Sequence, residues 1–371
     1  MTVAAFMELA LYDADLGYYA RAAQRSGRAG DFFTSVDVGP VFGELLGKQI
    51  LEMARLLEAR VPSPEPRVPS PEPRFDLVEA GAGNGRLSAD ILRAIRRYDP
   101  AIYARLQLHL IEASATARAA QRETLGEVVD KLVSSTADLP GAIEGVVVAN
   151  ELLDALPVHQ VVMRPEGLRE VYVDAERLET GDCRLMTIEG APSTPELEAY
   201  LARLDVVLEP GWRAEINLRA VGWMQAAARR LRRGFIIVID YGHPARELYS
   251  PTHSAGTLTT FAAHTMAGGE RPVSTPGWLE DPGDRDITAH VDFSSVEAAA
   301  AGAGLTRLGF LDQTYFLLGL MDPDVSDLKT RLALKTLILP GGLGSTHKVL
   351  ILGKDVGSPS LRGCSYRVRV T

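Results

Sequence analysis

The apolar positions of this chain change period from segment to segment, and the changes mark its elements. Phe75, Leu77 and Val78 make a dense apolar run, glycines follow at 81, 83 and 85, and Leu87, Ile91 and Leu92 then recur at helical spacing. The pattern predicts a buried strand, a glycine turn and an amphipathic helix. Residues 107–112, 145–150 and 234–242 read as further strands, with a helix over 115–131. The run 145–150 is apolar enough for the middle of a parallel sheet. Residues 158–190 switch to short apolar–polar alternation, which predicts antiparallel strands. Helices are expected over 3–12, 41–57, 194–204, 220–233 and 294–303, and strands near 305–310 and 348–352.

These segments divide the chain. Residues 1–60 form an N-terminal helical cap and 61–74 a linker. Residues 75–157 are the first half of an α/β core, and 158–210 an inserted β/helix element that covers the pocket. Residues 211–242 continue the core, 243–293 form a lid loop, and 294–371 complete the core. The linker is Val-Pro-Ser-Pro-Glu-Pro-Arg twice in tandem, with too much proline for helix or central strand. Residues 243–290 are rich in His, Pro, Gly and Thr, which suits a long loop.

Composition narrows the function classes. The chain of 371 residues has room for one large domain with insertions or for two. A net charge of −9 argues against a nucleic-acid partner. No apolar run reaches the length of a membrane span, so no membrane partner is expected. The two cysteines, Cys183 and Cys364, supply neither a disulfide framework nor a zinc cluster. Residues 1–9 lack a basic region followed by a long apolar core, so a signal peptide is not expected and the cytoplasm is.

The glycine spacing selects the ligand. A turn without Cβ atoms lets a ligand lie on the backbone, and the new helix points unpaired N–H groups at it. Dinucleotide sites show G-x-G-x-x-G, whereas this turn reads Glu79-x-Gly81-x-Gly83-x-Gly85. The Glu79 carboxylate is awkward beside a pyrophosphate and comfortable beside the ammonium of S-adenosylmethionine. NAD binding and a purely structural turn are the alternatives. Polar groups also stand at the other strand ends: Glu112 for the ribose hydroxyls, Asp138 for the adenine amino group or as a helix cap, Asn150 with Glu151, and Asp240 with Tyr241. Methyl transfer asks the protein to align a nucleophile and exclude water. For a guanidinium nucleophile, carboxylates orient the donor fork and help remove a proton. Glu151 and Asp154 are the first catalytic candidates, Asp240 and Tyr241 the second. His243, His264 and His290 are candidates for the substrate mouth, and no His/Cys spacing matches a zinc site, so no metal is expected.

These residues carry a resemblance. Phe6–Tyr12, Gly17–Tyr19, Gly30–Ser35, Phe42–Glu44, Glu79–Gly83, Ala149–Pro157, Asp240–Gly242, Gly256–Leu258, Asp286–Phe293 and Lys348–Leu350 resemble the MidA-like methyltransferases, nearly from end to end. That family includes a mitochondrial respiratory complex I assembly arginine methyltransferase. The resemblance implies an α/β class I methyltransferase fold: a seven-stranded, mostly parallel sheet with helices on both faces, an N-terminal helical segment and an inserted β-element and lid over the active site. It implies S-adenosylmethionine as methyl donor, S-adenosylhomocysteine as product, and Asp31, Thr34 and Ser35 folded over the methionine part. The chain departs from the family after His264, where Thr265 stands in place of a basic residue, and in the stretch 267–283. The expected function is protein arginine N-methylation. Methylation of a small molecule or peptide, and a non-catalytic assembly factor that binds the cofactor, are the alternatives.

Overall fold

The structure, a computed structural model, describes residues 1–21, 34–59, 74–177, 183–262, 265–267, 276–322, 327–339 and 343–366. In chain order the helices are α1 (Val3–Tyr12), α2 (Tyr18–Arg21), α3 (Val41–Ala59), α4 (Arg86–Tyr98), α5 (Pro100–Arg105), α6 (Ala115–Leu125), α7 (Glu196–Arg203), α8 (Leu218–Arg230), α9 (Ala245–Leu248), α10 (Phe293–Gly302), α11 (Gln313–Leu320) and α12 (Leu328–Ile338). The strands are β1 (Phe75–Ala80), β2 (Leu106–Ile111), β3 (Leu132–Thr136), β4 (Ile143–Asn150), β5 (His159–Arg164), β6 (Gly167–Arg177), β7 (Cys183–Gly190), β8 (Arg213–Ile216), β9 (Leu231–His243), β10 (Thr259–Ala262), β11 (Thr265–Ala267), β12 (Asp286–Thr288), β13 (Val291–Asp292), β14 (Thr306–Asp312) and β15 (His347–Lys354). The chain forms two compact units. The first comprises residues 1–32, 153–224 and 241–299, the second 33–152, 225–240 and 300–371.

The second unit is the sheet that the apolar runs predict. Its strands lie in the order β3-β2-β1-β4-β9-β15-β14. Pairing is parallel from β3 through β9, and β14 pairs antiparallel with β15. Leu77, Val146, Val148, Ile237 and Ile239 point from the strands into one core with Leu46, Ile50 and Met53 of α3 and Ile91, Leu92 and Ile95 of α4. Each fully buried aliphatic side chain contributes about 1.5–3 kcal/mol, which is what fixes the two helices to the sheet. The helices cross closely because α3 presents glycine. A Cβ on Gly43 would lie 2.6 Å from Asp90 Cβ, and one on Gly47 would lie 3.0 Å from Ala94 Cβ.

In the first unit, β7-β6-β5-β8 form an antiparallel sheet and β11-β10-β12 a smaller one. Val3, Phe6, Met7 and Leu11 of α1 bury against Val162, Val171 and Val173 of β5 and β6, with Trp278 beside Phe6. The last two residues of β9 pair with β13, Gly242 to Val291 and His243 to Asp292. Tyr200 of α7 closes a second core and donates to Asp292 Oδ2 at 2.9 Å.

Four expectations change. The segment 1–60 is not one cap: α3 belongs to the sheet unit, because its apolar face completes the core of the sheet. The described part of residues 243–293 is not bare loop. It carries α9 and β10 to β13, short elements whose signal is drowned by His, Pro and Gly. β3 is a strand that periodicity missed, since its Leu-Val-Ser-Ser-Thr is polar and half-exposed at the sheet edge. α11 and α12 had no prediction at all. Asp31, His264 and most of the tandem repeat lie outside the described residues.

The close crossing predicts opposite outcomes for one substitution at two helical glycines. Gly43→Ala should destabilise the chain by about 1–3 kcal/mol through overpacking against α4. Gly222→Ala in α8 meets no atom within 4 Å and should stabilise it by about 1 kcal/mol through helix propensity. Urea denaturation of both variants checks this; equal signs would refute the packing account.

Candidate active site

In an open parallel sheet, ligands bind outside the carboxyl ends of the strands, at the point where the connections leave in opposite directions. In the second unit that point lies between β1 and β4. From β1 the chain runs out through β2 to β3, and from β4 it runs the other way to β9. Most of the cofactor candidates gather there.

The glycine turn supplies the floor. Gly81, Gly83 and Gly85 have φ of 71°, 51° and 84°, and the N–H groups of Gly81 and Ala82 donate to Ile111 O at the end of β2. A Cβ on Gly81 would meet Leu152 Cδ1 at 3.0 Å, but one on Gly83 would meet nothing within 4 Å. Gly83 therefore offers bare backbone to open space. Its N–H donates to Glu112 Oε2 at 2.8 Å, and its carbonyl accepts from Gln121 Nε2 at 2.8 Å. The other oxygen of Glu112 accepts from Ser114 N at 2.7 Å. A carboxylate has about four lone-pair positions, so the half-buried Glu112 keeps acceptor capacity for hydroxyl groups.

Glu79 meets a partner that the sequence does not announce. It is 5% exposed, and its Oε2 accepts from Ser88 N at 3.1 Å and from Ser88 Oγ. That oxygen satisfies an N–H group left unpaired by the start of α4, so it supports the turn from below. Asp138 lies in an exposed bend at the end of β3, and no helix follows it before β4, which removes the helix-cap alternative.

The end of β4 supplies the wall. Asn150 is buried, its Nδ2 donates to Glu151 Oε1 at 3.3 Å, and its Oδ1 has no hydrogen-bond partner among the described residues. Glu151 has φ of 49°, a left-handed conformation that costs a non-glycine residue about 1 kcal/mol or more. The strain is held by Glu151 N donating to Ile239 O at 2.8 Å. Glu151 Oε1 also accepts from Ser35 N at 3.3 Å, and His347 Nε2 stands 3.8 Å from it. The turn carrying Ser35 is a capping box: Asp37 Oδ2 accepts from both Thr34 N and Thr34 Oγ1 at 2.9 Å. Asp37 Oδ1 pairs with Arg86 at the start of α4, and Ser35 Oγ donates to Gln313 Oε1 at 3.2 Å. Thr34 and Ser35 thus spend their hydroxyls within the turn and on α11, and it is the Ser35 N–H that meets Glu151 after β4.

Asp37, Arg86, Gln121, Gln313 and His347 were missed by sequence reasoning. Thr34-x-x-Asp37 is a legible capping-box pattern; the other four carry no local signal. Asp240, a catalytic candidate, is fully buried and its Oδ2 accepts from Leu152 N at 3.2 Å. It positions the turn after β4 and has no exposed surface for a substrate to touch.

The remaining candidates belong to the first unit. Asp154 is 5% exposed, and its carbonyl accepts from Ala289 N at 3.0 Å. Tyr241 meets the His290 ring edge-on at 5.5 Å. His243 and His290 come together with His253, which the sequence reading did not single out. Burial, then the neighbouring His243 and His253, pushes His290 down to about 4, so it is neutral at pH 7.

Two carboxyls of the second unit are displaced the other way. Burial pushes Glu79 up to about 7, against the opposing Ser88 bonds. Burial pushes Glu151 up to about 7 too, against the bonds from Ser35 and Asn150. Both folded values lie above the ordinary 4.5. Their contribution to stability is therefore full below the unfolded value and lost as pH rises through about 7. The effect is at most about 3 kcal/mol for Glu79, and smaller for Glu151, whose side chain is 16% exposed. In the ligand-free chain, Glu79→Gln should gain on wild type as pH rises from about 5 to about 8. A wild-type-minus-variant stability difference that stays flat over that range would exclude it.

The chain is similar to known proteins along most of its length. Residues 45–311 match the model of a family described as "Putative S-adenosyl-L-methionine-dependent methyltransferase". The protein arginine methyltransferase NDUFAF7, mitochondrial, of Mus musculus is 29% identical over 96% of this chain and 77% of its own length. The Homo sapiens protein of the same name is 27% identical over 96% and 76%. A crystal structure of a Burkholderia thailandensis protein bound to S-adenosyl-homocysteine is 29% identical, with a TM-score of 0.83, covering 100% of this chain and 92% of that one. The curated relatives are named as mitochondrial proteins, which overturns the expectation of a cytoplasmic location. No described helix is long and apolar enough to cross a membrane. The bare Gly83 backbone and the unpartnered Asn150 Oδ1 fit a cofactor with a cationic amino-acid head, and the chain belongs to this family of S-adenosyl-L-methionine-dependent methyltransferases.

Proposed function

We propose that this chain methylates an arginine side chain of a protein partner. The observation that carries the reading is the 29% identity with the mouse protein arginine methyltransferase over 96% of the chain. Bound S-adenosylmethionine supplies an electrophilic methyl group on sulfur. The rest falls to the protein. The Gly81–Gly85 turn receives the cofactor against bare backbone, Glu112 accepts from its ribose hydroxyls, and Asn150 Oδ1 accepts from its ammonium. Asp138, at the end of β3, is assigned to the adenine edge. Glu79 and Asp240 hold the two turns in place.

Glu151 is the residue assigned to the reaction itself. A guanidinium must lose a proton as its nitrogen becomes a nucleophile, and a base serves best when its pKa lies near the working pH. A carboxyl raised to about 7 meets that requirement better than an ordinary one at 4.5. Ser35 N, Asn150 Nδ2 and His347 Nε2 all approach the same oxygen of Glu151, which fixes the direction of its carboxylate.

Two measurements test these assignments. Gly83→Val should weaken S-adenosylhomocysteine binding by tenfold or more in calorimetry, about 1.4 kcal/mol, because its side chain would occupy the open space above the turn. Glu151→Gln should keep that affinity and lose methyl transfer; a variant with wild-type turnover would remove Glu151 from the mechanism. The substrate class is read by incubating the enzyme with methyl-labelled S-adenosylmethionine and a protein-rich lysate. Labelled methylarginine in hydrolysed protein is expected. Label confined to the small-molecule fraction would replace the arginine reading by small-molecule methylation.

A further inference from the structure

Within the first unit, three segments far apart in sequence bring imidazoles to one place. His243 ends β9, His253 ends the turn Pro251–His253, and His290 lies between β12 and β13. One ring nitrogen from each lies within 4.8 Å of the other two. Ring centroids are 4.8 Å apart for His243 and His253, 5.4 Å for His243 and His290, and 5.7 Å for His253 and His290. From this convergence we infer that His243, His253 and His290 form a binding site for a divalent transition metal of the zinc class.

The surroundings orient the rings as metal ligands are oriented. His243 Nδ1 lies 3.2 Å from Glu247 Oε2, and His253 Nδ1 lies 3.0 Å from the Glu247 carbonyl oxygen. Both acceptors call for a proton on Nδ1, which makes Nε2 the ring nitrogen that bears the lone pair. A histidine ligand commonly donates its other N–H to a carboxylate or a carbonyl, and that partner fixes its tautomer and raises its basicity. Glu247 does both jobs from one residue. Its carbonyl is itself anchored by Ser250 Oγ at 2.7 Å.

His290 supplies the independent sign. Its Nδ1 is buried and has no hydrogen-bond partner among the described residues. A buried polar atom left without a partner is uncommon and asks for an explanation, an absent ion among them. The backbone around it is held, since His290 N donates to Thr257 Oγ1 at 3.1 Å. Ring stacking alone would not explain the triad, because the rings are tilted 43°, 39° and 70° to one another.

The donor set chooses the ion. Three neutral imidazoles suit zinc, cobalt, nickel or copper and do not suit magnesium or calcium, which take oxygen. Zinc–imidazole bonds are about 2.0–2.1 Å, so each nitrogen has to move inward by under about 1 Å, within the reach of side-chain rotation. A fourth position remains open to water. The bound ion would tie together the end of β9, the 251–253 turn and the segment between β12 and β13, and so stabilise the first unit. This site does not depend on the arginine reading.

The test uses the full chain, purified without a metal-affinity column and stripped with a chelator. Cobalt(II) is titrated in and followed by its visible d–d absorption, and zinc is then added in competition. One cobalt per chain, displaced by zinc, is expected, with a rise in thermal midpoint on zinc addition. His253→Gln and His290→Ala should each lower affinity more than about 100-fold, and Glu247→Ala by about 10–100-fold, as for other groups that orient ligands. His109→Gln, on β2 of the second unit, should bind as wild type does. Failure of the wild-type chain to bind cobalt or zinc at micromolar free ion would overturn the proposal whatever the variants do. Wild-type affinity in a folded His253→Gln or His290→Ala chain would overturn it as well.

Discussion

Everything at the candidate active site depends on one constraint: carboxylates are buried at the ends of parallel strands, and each must find N–H groups. Glu79 finds Ser88 N at the start of α4, Glu112 finds Gly83 N and Ser114 N, and Asp240 finds Leu152 N. A buried carboxylate without donors would cost several kcal/mol. With them, it pins a turn to a strand end. The glycine turn and the turn after β4 are therefore held by acids placed behind them, and their outer faces are left for a ligand.

Glu79 and Glu151 are the two places where this balance is incomplete. Both have donors, yet burial still outweighs them and keeps their carboxyls protonated to about pH 7. A cationic ligand favours their ionised forms. The folded chain thus holds two carboxyls whose burial its own donors do not fully offset. The left-handed Glu151 adds a conformational strain.

The sequence made some of this legible and hid the rest for physical reasons. Long apolar runs such as Val146–Val148 and Phe235–Ile239 announce central strands because both faces of the sheet are covered. The edge strand β3 has one partner and polar residues, so periodicity gave no sign of it. The glycine turn was readable because its backbone conformation needs glycine. The role of Glu79 was half-readable: position at a strand end follows from the pattern, but which donor its carboxylate meets is decided by α4 folding back. His347 and Gln313 reach the site from the far end of the chain, and no local spacing encodes that. The histidine triad failed for the same reason, since His243, His253 and His290 converge only through tertiary structure.

The helix crossing at Gly43 and Gly47 has a reach beyond packing. The turn that presents Ser35 to Glu151 runs directly into α3, and the turn that presents bare Gly83 runs directly into α4. With no room for a methyl group between the two helices at Gly43, they behave as one rigid gauge that sets the spacing of the two turns. A slip of a single helical turn, about 5.4 Å, would carry Ser35 off its partner. The spacing of the two turns is thus metered by glycines buried between helices, and a family member that exchanged them would have to recalibrate both turns together.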